Sequence, residues 1–382
     1  MKPGTEWPEI GHDDLDVVPT RPPGRGWLPY RRLALGARPS AAPTTLFLLT
    51  GAALGPQGFN VLSSPVITRS QALVWVGLAV TGIFVGLGLA SRSATPHRHL
   101  LVAASIAALA TIGVMTGGFY LLASSSTLPL PGLVGVGSIL VALCASVSAA
   151  VPTSTASSPE LLRASRLADI DDLPLLAGGV LVIAALTGEA AALRVVATVM
   201  AGAAIGVAGW LLFSRASDTE RGLFVTGAVL MLAGTGAYLG TSPLVSGCAA
   251  AIVWSRVPGP TDRITAHDLR ALQHPLVALI LIFAGAAVDV TLVAVWAAAL
   301  ILVLRLTTKL LVSVVIAGLE SISPSLLASI LLQPGILGVA MALNAWLVLG
   351  DDYRWVLSAV SIATVASEAL VLFVPRVSEE TA

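Results

Sequence analysis

From about residue 43 to residue 375, long apolar stretches alternate with short polar connectors, and the apolar stretches are long enough to be read as membrane spans. A helix needs roughly 20 residues to cross ~30 Å of hydrocarbon. On that measure the pattern predicts twelve spans, at 43–65, 71–90, 99–123, 131–152, 159–188, 193–214, 221–240, 242–256, 275–290, 291–318, 323–348 and 353–375. The boundary between the ninth and tenth rests on a single charged residue, Asp289. The expected fold class is therefore all-α, a polytopic transmembrane helical bundle. Residues 1–42 break the pattern. They hold 7 of the chain's 23 prolines, 5 glycines and no apolar run of spanning length. Such a segment cannot bury enough surface to offset its ordering entropy, so it predicts a flexible tail. It also lacks the parts of a secretory signal peptide. The expected organisation is a tail over 1–42, a membrane domain over 43–376 and a short cytoplasmic end over 377–382.

Composition agrees with that reading. Apolar residues make up 56% and charged residues 11% of the chain, against about 25% charged in an ordinary soluble protein. With 21 basic and 21 acidic side chains the net charge is zero, so no basic field exists to recruit nucleic acid. The 2 cysteines, Cys144 and Cys248, sit in apolar runs and exclude a disulfide scaffold or a cysteine-rich metal site. The spread of positive charge predicts orientation, because Lys and Arg concentrate in cytoplasmic loops. With the tail inside, Arg31, Arg32, Arg38, Arg92, Arg98, Arg163, Arg166, Arg215, Arg221, Arg256, Arg263, Arg270 and Arg376 fall on the cytoplasmic side, and only Arg69, Arg194 and Arg354 on the other. Both termini are then cytoplasmic and the number of spans is even.

Two cations remain after that sorting, Arg305 and Lys309, in the tenth span (LILVLRLTTKLLVSVV). A central charge costs at least ~2.5 kcal/mol to insert and is expected to face a partner or a watery cavity. Placed at i and i+4, the two share one helix face. They either neutralise a site or tie helices together through salt bridges or carbonyls. The acidic counterpart is in the fifth span, where Asp169, Asp171 and Asp172 follow a Ser158-Pro159-Glu160 helix start. At 100° per residue Asp169 and Asp172 share a face and Asp171 points elsewhere. A helix from Pro159 puts these acids near mid-membrane; the competing reading leaves them at the cytoplasmic mouth, paired with Arg163 or Arg166. Carboxylates in a poorly hydrated site can exchange protons near neutral pH and, when ionised, can bind a small hard cation such as Na⁺. A backbone break is predicted at Gln333-Pro334-Gly335 in the eleventh span, and either a break or a simple proline kink near Ser146, Ser148 and Pro152 in the fourth. Broken helices at corresponding positions in two halves are a transporter signature.

Seven stretches in order carry a more specific likeness: LFLLTGAALGPQGFNVLSS, ALCASVSAAVPTS, LADIDDLPLLAGG, LGTSPLVSGCAAAIVWS, HPLVALILIFAGAAVDV, RLTTKLLVSVV and LLQPGILGVAMA. In these the chain resembles the monovalent cation:proton antiporter family. The resemblance implies inverted repeats whose fourth and eleventh spans cross at unwound centres, a scaffold that commonly forms a homodimer, and an acidic motif on the fifth span neutralised by a basic residue on the tenth. Lys309 matches the basic position, and Arg305 matches no family role. Two registers fit the acidic motif. One makes Asp169 the essential acid, preceded by Ala168, and the other makes Asp171 and Asp172 the pair. The reading that follows is a transporter, not an enzyme, with no cofactor. It would sit in the plasma membrane and exchange Na⁺ or K⁺ for protons by alternating access. Asp169 and Asp172, with Asp171 beside them, are the expected ion- and proton-binding carboxylates, Lys309 the countercharge, and Ser146, Ser148, Arg305, Gln333 and Pro334 the supporting shell. The alternative is a non-transporting sensor or assembly partner on the same scaffold. An intramembrane aspartyl protease fits poorly, since its GxGD-type signature is absent. Glu368 reads as a helix-pairing or cytoplasm-facing residue rather than an ion ligand, and His97, His99, His267 and His274 as exposed, silent loop-side groups, with pH sensing as the alternative.

Overall fold

The computed structural model describes residues 42–92, 98–125, 136–148, 159–188, 190–213, 215, 217–256, 275–320 and 322–373. The expected tail (apart from Ala42), the C-terminal 377–382, Pro152, His97, His267 and His274 lie outside the described residues, as do the side chains of His99 and Asp169.

The described chain is helical. The helices are α1 (Ala42–Leu54), α2 (Ser64–Arg69), α3 (Gln71–Arg92), α4 (Arg98–Ser125), α5 (Val136–Ser146), α6 (Pro159–Leu186) and α7 (Ala191–Phe213). They continue with α8 (Asp218–Leu239), α9 (Pro243–Arg256), α10 (Pro275–Ala287), α11 (Leu292–Glu320), α12 (Pro324–Leu331), α13 (Ile336–Leu349) and α14 (Arg354–Phe373). Helical segments occupy all twelve expected spans. Windows within α3, α4, α7, α8 and α11 are each long and apolar enough to cross a bilayer. Large apolar side chains such as Leu109, Leu193, Leu223 and Leu311 stand on exposed faces, the side that lipid covers in a membrane bundle. The chain is an integral membrane protein.

Local chemistry sets most boundaries. A capping box of Ser217 and Glu220 opens α8, and Gly240, with φ +59°, closes it. Helix α10 stops at Ala287 just before Asp289, and Thr291 accepts from the Ala294 amide to begin α11. The first span departs from expectation: α1 ends at Leu54, not near residue 65. Beyond it the chain turns back, with Phe59 N bonding the Ala53 carbonyl (2.7 Å), Leu62 N bonding the Leu54 carbonyl (2.8 Å) and Asn60 at φ 55°. These bonds satisfy carbonyls that a continuing helix would have used. The apolar run thus outlasts the helix it seemed to define.

Packing sorts the helices into two groups. In the first, α3, α7, α8 and α9 share a core around Leu232, Ala250 and Trp254. There α3 and α9 press backbone to backbone: a Cβ on Gly82 would lie 2.0 Å from the Leu244 carbonyl oxygen. The second group joins α4, α5, α6, α11, α12, α13 and α14, with Leu140, Leu175, Ala340 and Leu357 in its core. Its centre is a crossing of two interrupted spans. Helix α5 gives way at Val147–Ser148 to extended chain, and the eleventh span unwinds between α12 and α13. Ser148 and Pro334 form an antiparallel bridge, and Gly335 N donates to the Val147 carbonyl (3.2 Å). Proline at 334 carries no amide hydrogen to continue α12. Glycine at 335 is required by the approach, since a Cβ there would meet the Ser148 oxygen at 2.3 Å.

Candidate functional site

At an interrupted helix the peptide groups lose their intrahelical partners, and within a bilayer protein must replace them. This chain does so with Arg305. The guanidinium projects from α11 into the crossing, where Nη1 donates to the Ala145 carbonyl (2.8 Å) and Nη2 to those of Val147 (2.9 Å) and Gln333 (3.0 Å). Arg305 is buried, and its partners belong to the ends of both broken spans. Helix C-termini carry partial negative charge, so a fixed cation between two of them is favourable. Of the two roles open to Arg305 in the sequence, the carbonyl tie is the one observed.

One turn further along α11, Lys309 is fully buried and its Nζ is hydrogen-bonded to Oδ2 of Asp171 on α6, itself fully buried. Asp171, which the helical wheel sets apart from the face shared by Asp169 and Asp172, is the acid that Lys309 meets. The wheel gives angles between neighbours on α6 but does not say which direction faces α11. Among the described residues Asp171 meets Lys309, not Arg163 or Arg166. Asp171 Oδ1 has no hydrogen-bond partner among the described residues. Asp172 is half-buried and accepts the Ser148 amide through Oδ1 (3.0 Å), so the neighbouring acid reaches the broken fourth span. Two carboxylates, an ammonium and a guanidinium are thereby gathered about the crossing.

The remaining expected residues sort as follows. Ser148 Oγ donates to the Leu331 carbonyl (3.2 Å), closing the end of α12. Ser146 Oγ turns back to the Ala142 carbonyl (2.5 Å) and touches Met115 Sδ (3.1 Å), so it supports α5 from within. Gln333 is buried and contributes its carbonyl to Arg305, and Pro334 forms the bridge to Ser148. Asp169 belongs to α6, three residues before Asp172. Glu368 takes the helix-pairing role: from α14 its carboxylate accepts both the amide (3.0 Å) and the hydroxyl of Thr45, at the start of α1.

Two features escaped the sequence reading. Asn344 is buried on α13, with Oδ1 unpartnered among the described residues. It is the one polar side chain in ILGVAMALNAWLVL, a signal that an intramembrane polar residue provides. Elsewhere Gln57 bonds the carboxylate of Asp289, whose backbone amide donates to Ser358 Oγ (2.8 Å). That link ties the turn after α1 to the α10–α11 break and to α14.

A solved structure shares this architecture. The sodium proton antiporter MjNhaP1 from Methanocaldococcus jannaschii aligns over 86% of this chain and 91% of its own, at a TM-score of 0.60 and 12% sequence identity. The chain has the antiporter fold. Likeness at that identity is a likeness of architecture alone. No protein-family model matches the sequence, and no curated protein matches it.

Proposed function

We propose that the chain is a secondary antiporter that exchanges a monovalent cation, Na⁺ or K⁺, for protons across the plasma membrane by alternating access. In this reading both termini are cytoplasmic and two copies pair through the scaffold helices. The observation that carries it is the buried Lys309–Asp171 pair beside Asp172, at the point where two helices are broken. An ammonium hydrogen-bonded to a carboxylate occupies the position a monovalent cation would take, with the same charge. When Lys309 gives up its proton, Asp171 loses its countercharge, and a cation entering beside Asp171 and Asp172 restores it. Proton and cation then compete for one site and cannot be held there together at low cost. Of the two sequence registers, this assigns the carboxylates to Asp171 and Asp172. Ser148, Gln333 and Pro334 supply the backbone frame, and Ser146 stiffens α5 behind it. The printed description of the fold relative, a sodium proton antiporter, agrees with this chemistry.

The test is collapse of an imposed proton gradient in proteoliposomes holding the purified chain, titrated with Li⁺, Na⁺ and K⁺. Saturable, cation-dependent collapse is expected, and its loss in Asp171→Asn. Absence of exchange with every alkali cation would sink the proposal and favour a non-transporting sensor on the same scaffold.

A further inference from the structure

The Val147–Ser148 peptide has both ends engaged. Its carbonyl oxygen accepts from Arg305 Nη2 (2.9 Å) and from the Gly335 amide (3.2 Å). Its N–H, on Ser148, donates to Asp172 Oδ1 (3.0 Å). A peptide unit is planar and trans, so its C=O and N–H point in opposite directions and neither can turn without the other. Whatever fixes the carbonyl therefore aims the amide. We propose that Arg305 is a positioning residue for cation binding, holding the Val147–Ser148 peptide so that the Ser148 N–H keeps the Asp172 carboxylate in place for the cation. The inference rests on the exchanger reading for the identity of the ligand, and on geometry alone for the route.

Three observations favour Arg305 for this task over a generic tie. Its guanidinium is a rigid planar fork, so bonds to Ala145, Val147 and Gln333 fix direction as well as distance. Those carbonyls lie on both broken spans, so the group sets the register between the end of α5, whose Ser148 meets Asp172, and the α12–α13 break. A charged donor on the carbonyl also polarises the peptide and strengthens the N–H as a donor to a carboxylate. Arg305 itself bonds to backbone, whereas Lys309 takes the carboxylate of Asp171, so the two cations of α11 divide the work.

Groups that orient a metal ligand without touching the metal typically cost 10- to 100-fold in affinity when removed. Arg305→Gln should raise the half-saturating Na⁺ concentration by about that factor, with a smaller change in the saturating exchange rate. Arg305→Lys keeps the charge but offers a point donor that cannot hold Val147 and Gln333 as a fork does, and should fall between. Cation affinity is read in two ways: as KM in proteoliposomes and as the Na⁺ concentration that half-maximally raises the melting temperature of the detergent-solubilised chain. Binding without transport in the unaltered protein would refute the exchanger reading yet leave the Arg305 comparison decisive. Variants that melt lower in every salt but keep the same half-saturating Na⁺ would overturn the positioning role and reduce Arg305 to a structural tie. Should Arg305→Gln fail to fold, Arg305→Lys decides on the same criterion. An unaltered chain with neither binding nor exchange overturns both.

Discussion

Lys309→Met removes the ammonium and leaves Asp171 fully buried with nothing to face. Both side chains of the pair have 0% relative exposure. Breaking one side of a buried ion pair costs about 3–5 kcal/mol. A loss of that size is expected. Asp171→Asn should cost a similar amount for the mirror reason, an ammonium without its acid. Lys309→Met combined with Asp171→Leu removes both charges and should recover to within ~1–2 kcal/mol of the unaltered chain, since apolar replacement of a buried pair is often neutral. The assay is unfolding of the detergent-solubilised chain followed by tryptophan fluorescence, with the buried Trp254 and Trp346 as reporters. If either single variant is as stable as the unaltered chain, or if the double variant loses the sum of both, the pair is not a desolvated ion pair and the reasoning fails.

Other predictions are independent of that one. Gly335→Ala places a Cβ 2.3 Å from the Ser148 oxygen, so the crossing must open; exchange should be lost while circular dichroism keeps its helical content, and retained exchange would show that the two breaks need not touch. Asp172→Asn should abolish exchange, and Asp169→Asn should retain it. The reverse pattern in proteoliposomes would return the acidic motif to the other register. Glu368→Gln removes a carboxylate that caps the start of α1 through Thr45, which should cost about 1 kcal/mol and speed proteolysis near residue 42 without moving the cation KM. Gly82→Val forces a side chain against the Leu244 carbonyl, separating α3 from α9. It should lower the melting temperature far more than Gly88→Val, where the position is open.

The helices were legible because each bilayer span must satisfy its own backbone, which ties apolar length to helix length. That rule failed at α1, where Gly55 and Pro56 end the helix inside an apolar run and the following turn supplies the missing bonds. The breaks near Ser148 and Pro334 were readable from proline and glycine chemistry, but their contact was not. Arg305 reaches carbonyls 160 and 28 residues away in the chain, and no local pattern encodes such a meeting. The choice among Asp169, Asp171 and Asp172 stayed open in the sequence for a related reason: periodicity fixes which acids share a face, while the identity of the functional face depends on where α11 sits.

The two cations of α11 show why position along one helix decides function. Both are buried, both lie on one face, and by charge alone they are equivalent. Arg305 is bonded to carbonyl dipoles that belong to the backbone, cannot be protonated away and have no other cation to exchange for, so the guanidinium stays. Lys309 is bonded to a carboxylate, a full charge that a monovalent cation of suitable size would satisfy. On the proposed exchanger reading, a permanent tie one turn from an exchangeable one would let the crossing remain assembled while the charge beside Asp171 changes hands. Interchanging the two, with Arg305→Lys and Lys309→Arg in one chain, should therefore preserve net charge yet abolish exchange: an always-charged guanidinium would then sit on Asp171 with no proton to release. Exchange by that chain at an undiminished rate would mean that Lys309 does not carry the displaced proton.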